Sequence, residues 1–185
     1  MASVVHRNAG GNLNKSLSEF DLVTGEVFVR ATIIVATLSY SAAEWLRFKR
    51  PAAWRAARVA WTAGVLFALV HAAAAFHVHH AWSHRQALAS TASQTAAVTG
   101  LEWSGGLYVN YAFLTMWAAD TCYWWRSPSA YRTLPAWLQT ARALTFLFMF
   151  FNGAVVFAHG TARWLGLVCI GVAGSAWYFR GSTDR

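Results

Sequence analysis

The chain has 185 residues, enough for one domain, and 57 % of them are hydrophobic while only 12 % are charged. A soluble globule normally carries about twice that charged fraction, so the composition points to a membrane domain. The formal charge of +8 does not indicate nucleic acid, because the basic residues lie between apolar runs instead of on one face of a soluble module. Cys122 and Cys169 fall within apolar segments and form no CxxC pair, which excludes a disulfide framework and a zinc knuckle.

Residues 1–25 are polar and rich in Asn, Ser and Gly. They lack the charged start, apolar middle and small-residue cleavage site of a cleaved signal peptide, and read as a poorly ordered or surface-lying tail. Leu17, Phe20 and Leu22 are its contacts with the interface.

Residues 26–180 hold five apolar runs: 26–46, 57–80, 98–124, 142–160 and 164–179. A helix of about 20 residues crosses the hydrocarbon of a bilayer, and each run nears or exceeds that length, the last being the shortest. None alternates apolar and polar residues as a barrel strand does. The expected fold is an all-α integral membrane protein, a bundle of about five transmembrane helices followed by a short tail, 181–185.

Ten of the fifteen basic residues, Arg47, Lys49, Arg50, Arg55, Arg58, Arg126, Arg132, Arg142, Arg180 and Arg185, fall on one side of such a bundle. The positive-inside rule then places the N-terminus outside and the C-terminus in the cytoplasm, in a bacterial inner membrane. Pro51, Pro128 and Pro135 all lie in the inner connections, where they cost no helix hydrogen bond. Tryptophans near the helix ends form an aromatic belt.

The second run ends in five of the seven histidines, His71, His77, His79, His80 and His84. A polar loop, 83–95, follows. His77, His80 and His84 share one helical stripe, a pattern suited to a transition metal held by neutral imidazoles. His79 and His84 also read as water-facing residues at the outer rim. His71 lies deeper and on another face, and ionisable groups at that depth normally face the bundle interior with a partner. Counting rise per residue places Glu102 and His159 in the same outer half. His71, His77, His80, Glu102 and His159 are therefore the candidate ligands for a transition metal ion. His71 and His159 are the one obvious pair for haem b, offset by roughly 6 Å in depth.

Asn110 and Asn152 come near mid-membrane, where amide hydrogen bonds join helices. Glu44 and Asp120 are the acids nearer the inner side, with basic neighbours Arg47 and Arg126 for local pairing. The sequence has no GxSxG, P-loop, HExxH or CxxCH motif, and its single histidine cluster lacks the multiple boxes of membrane di-iron enzymes. Lys15 and Lys49 lie outside the apolar runs, which excludes a retinal Schiff base.

Three functions fit this pattern. The first is a metal- or haem-binding membrane protein, in redox chemistry or metal handling at the outer face. The second is a non-catalytic structural or accessory subunit of a larger membrane complex, with the bilayer and other subunits as partners. The third is a small transporter or proton conduit lined by Glu102, Asn110, Asn152 and Asp120.

Overall fold

The computed structural model describes residues 2–153 and Gly171, with side chains from Phe20 onward except Phe48, Lys49 and Pro51. His159, the run 164–179 apart from Gly171, and the C-terminal tail lie outside the described residues. Every regular element among the described residues is a helix: α1 (Ala2–Lys49), α2 (Trp54–His80), α3 (His84–Thr99), α4 (Gly106–Arg126), α5 (Pro128–Arg132) and α6 (Ala136–Phe151). A 3-10 turn, Pro51–Ala53, joins α1 to α2.

Helix α1 has 48 residues, or about 72 Å at 1.5 Å per residue, and takes in the polar N-terminal stretch as well as the first apolar run. No proline interrupts it. Arg50 and Pro51 stop it, since the residue before a proline is driven out of the helical region. The chain then turns back, and α2 packs antiparallel along α1. The seam is built from small side chains: Ala36, Ala43, Ala57 and Ala68 are buried. A Cβ on Gly64 would meet Trp117 at 2.7 Å and the Ala36 carbonyl at 3.5 Å, so only glycine lets α1, α2 and α4 come this close.

Helix α2 ends in two consecutive left-handed residues, Ala81 (φ 44°) and Trp82 (φ 62°). Such a conformation costs a non-glycine residue roughly 1–2 kcal/mol. It is held by the Trp82 amide on the Phe76 carbonyl at 3.1 Å and by the Trp82 indole N–H on His77 Nδ1 at 3.2 Å.

The stretch expected as a polar loop is helix α3. Its start is fixed by Ser83, whose hydroxyl accepts from the Gln86 amide at 3.3 Å, and its end by Gly100 at φ 77°. These are a standard cap at each end. The third apolar run consequently splits, and α4 begins at Gly106 instead of Val98.

The core is aromatic. Phe146 of α6, fully buried, stacks on Tyr40 at 4.6 Å and meets Trp61, Phe113 and Trp117 at 5.0, 4.9 and 4.8 Å between ring centroids. Toward the connection between α1 and α2 the stack continues through Trp61, Trp124 and Tyr131. Pairs at such distances contribute about 0.5–1.5 kcal/mol each beyond their buried area. They tie α6 to the α1, α2 and α4 cluster.

Candidate functional site

Four charged side chains from three long helices meet beside this stack. Glu44 and Arg47 lie three residues apart on α1, so they share a face, and Arg47 Nη1 reaches Glu44 Oε1 at 3.3 Å. Arg142 of α6 brings Nη2 to the same Glu44 oxygen at 3.4 Å and Nη1 to Asp120 Oδ1 of α4 at 3.8 Å. The exposures of the Glu44, Arg47 and Arg142 side chains are 7 %, 6 % and 9 %, which puts these charges in the interior and not at the rim.

The short helix α5 completes the cluster. Pro128 opens it at the first helical position, where its missing N–H is not needed. Its single turn delivers Tyr131, whose hydroxyl donates to Asp120 Oδ2 at 2.7 Å and accepts from Arg142. Gln139 accepts from Arg47 Nη2 at 3.4 Å and donates to the Leu134 carbonyl at 2.7 Å. Burial is the main cause that pushes the Tyr131 hydroxyl far above the ordinary tyrosine range, with Asp120 adding to it. It therefore stays protonated and remains a donor.

Aromatic faces enclose the two guanidinium groups. Arg142 lies 5.0 Å from the Trp61 ring centroid and 5.6 Å from that of Tyr131, and Arg47 lies 6.0 and 5.8 Å from Trp124 and Tyr131. These are cation–π distances. The formal charges, two guanidinium groups against two carboxylates, cancel. Arg126 takes no part in this pairing and is exposed: six residues after Asp120, it is about 240° further round α4.

The histidines at the other end of α2 go to separate partners. His71 donates Nδ1–H to the Val29 carbonyl of α1 at 2.9 Å, a tautomer that leaves Nε2 without a proton. His77 accepts from Trp82, His79 approaches Glu26 at 3.5 Å, and His80 lies edge-on to Phe76. His84 shares a 3.2 Å hydrogen bond with Tyr111. Glu102 is exposed in the connection before α4. Among the described residues no three His, Cys, Asp or Glu side chains come together as a metal site. His71, His77, His80 and Glu102 thus do not converge.

Comparison with protein-family models, curated proteins and solved structures finds no match. The site is therefore read from its own chemistry.

Of the amides expected near mid-membrane, Asn152 folds back to donate to the Phe148 carbonyl of its own helix at 2.8 Å, and Asn110 is on the exposed face of α4. Only Glu44 and Asp120 among the acids singled out in the sequence come together. Sequence reasoning missed Tyr131, Gln139 and the part played by Arg142. Their signal was present but faint: Arg142 opens an apolar run, and Tyr131 lies between two prolines in the connection from α4 to α6.

Proposed function

We propose that this chain is an integral membrane protein of the bacterial inner membrane and a non-catalytic structural or accessory subunit of a larger membrane assembly. In this reading five helices cross, with the N-terminus outside. Two stretches, Phe20–Arg47 and Trp54–His80, are long and apolar enough to span a bilayer, and Ala136–Phe151 is a shorter apolar helix. Only 17 % and 22 % of the most apolar windows of the two long stretches are buried within the chain. The core helix of a soluble protein buries most of its apolar surface, so these figures favour lipid or neighbouring helices around them.

The observation that carries the accessory reading is the use of the buried charges. Among the described residues Glu44, Asp120, Arg47 and Arg142 pair with one another and with Tyr131 and Gln139, forming a clamp across α1, α4, α5 and α6. In lipid, helices gain nothing from leaving water together, so packing and interhelical polar contacts hold them. The test is purification in a mild detergent after alkaline carbonate washing of membranes. The chain is expected to stay with the membrane and to co-migrate with other membrane proteins. Release by carbonate contradicts the membrane reading, and a monomer running alone contradicts the subunit.

A second reading is favoured by one observation. The Nδ1–H of His71 is held by Val29, and a fixed tautomer with a basic Nε2 is the usual preparation of a histidine for a metal or haem iron. A Soret band, or stoichiometric copper, zinc or iron that is lost in His71→Ala, is the result that supports it.

A further inference from the structure

The inner connections are more basic than the clamp needs. Residues 47–58 and 126–142 contain eight Lys and Arg residues and no acid. Glu44 and Asp120 neutralise Arg47 and Arg142. The described side chains that remain, Arg50, Arg55, Arg58, Arg126 and Arg132, have no carboxylate within ion-pair distance among the described residues.

Two of these five, Arg58 and Arg132, lie on aromatic rings at one rim, and Arg55 and Arg126 adjoin those rings in the chain. The rings of Trp54 at the start of α2 and Trp124 at the end of α4 are 5.1 Å apart, and Trp54 is 6.4 Å from Tyr131 of α5. The Arg58 guanidinium lies 3.9 Å over Trp125, and that of Arg132 lies 4.9 Å from Trp54. The Trp125 ring is itself fixed by its N–H on Thr62 Oγ1 at 2.8 Å. Arg55 follows Trp54 and Arg126 follows Trp125 in the chain, and both are exposed.

One further feature favours an anionic ligand. Helix α2 begins without a side-chain cap and without an acid in its first turn, so its positive end is uncompensated. Arg55, Val59 and Leu66 fall within about 40° on α2, and Val59 and Leu66 are exposed. A phosphate held at the rim therefore has an apolar track beneath it on the same helix face.

We propose that Arg55, Arg58, Arg126 and Arg132 form a binding site for the phosphate headgroup of an anionic phospholipid of the inner leaflet, whose acyl chain lies along Val59 and Leu66. This rests on the membrane-spanning reading above. The track beneath the rim favours a lipid over a free phosphate, because a free ion has no use for it.

The full chain, reconstituted in vesicles of phosphatidylcholine and phosphatidylglycerol, tests this by quenching of tryptophan fluorescence with brominated forms of either lipid. Brominated phosphatidylglycerol is expected to quench severalfold more effectively. Basic residues near a membrane surface each strengthen anionic-lipid binding by roughly fivefold, so the preference should be lost in R55Q/R126Q/R132Q. It should be kept in the matching lysine variant and in R30Q/R85Q, which changes arginines away from the inner connections. Equal quenching by the two lipids overturns the site, as does a preference abolished by millimolar inorganic phosphate. Failure of the protein to float with the vesicles overturns the membrane reading itself. Flotation without a lipid preference overturns the site alone.

Discussion

Tyr131 shows how much one side chain of a short connecting turn can decide. Its hydroxyl donates to Asp120 and accepts from Arg142, so Tyr131→Phe leaves both charged groups short of a partner. Hydrogen bonds to charged groups are worth about 1.5–3 kcal/mol each, and a loss of that size is expected in detergent-titrated unfolding. Because burial raises the hydroxyl above its unfolded value near 10, the unfolded chain loses this proton first as pH climbs. Stability from Tyr131 is therefore constant below about pH 10 and falls above it. The alkaline fall should be shallower in Tyr131→Phe. At this scale the sequence exposed Glu44 and Asp120, because acids in apolar runs are conspicuous. It also exposed Arg47, three residues on, as a partner of Glu44, but not Arg142, which is 98 residues from Glu44 in the chain and which no local spacing links to either acid.

The helices themselves were legible where apolar runs are long. The runs 26–46 and 57–80 lie inside α1 and α2, and the interior of each carries no proline. Helix α3 was not legible from composition, because Ser, Thr, Gln and Ala between apolar runs look like a loop. The cap pattern Ser83-His84-Arg85-Gln86 and the terminal Gly100 held the information instead. The same contrast applies to the close approach of α2 to α4. Gly64 is an ordinary glycine in the sequence, yet a Cβ there would overlap the Trp117 ring. Gly64→Ala forces that ring to move within a packed aromatic core, at an expected cost of about 1–3 kcal/mol. Detergent-titrated unfolding of this variant checks it, and an unchanged midpoint would show that α2 and α4 are less tightly apposed.

At the scale of the whole molecule the chain has two ends of different character. The end where α2 turns into α3 disperses its histidines among Val29, Glu26, Trp82, Phe76 and Tyr111. The opposite end, toward the connection between α1 and α2, concentrates two carboxylates and two guanidinium groups under aromatic cover. Chain order put the eye-catching residues where α2 meets α3, since five histidines in fourteen residues stand out and four separated charges do not. The clamp joins segments that only the fold brings together.

If the charge centre is a structural clamp, each member is indispensable alone and the set as a whole is replaceable. Removing one partner of a buried ion pair strands the rest and typically costs about 3–5 kcal/mol, whereas apolar replacement of the whole group is often neutral or stabilising. The decisive measurement is the unfolding free energy, in mixed micelles, of Glu44→Gln and of the fourfold variant Glu44→Leu, Arg47→Met, Asp120→Leu, Arg142→Met. The account predicts a loss of about 3–5 kcal/mol for the single change and recovery of most of it in the fourfold variant. A single variant as stable as the parent protein would contradict it.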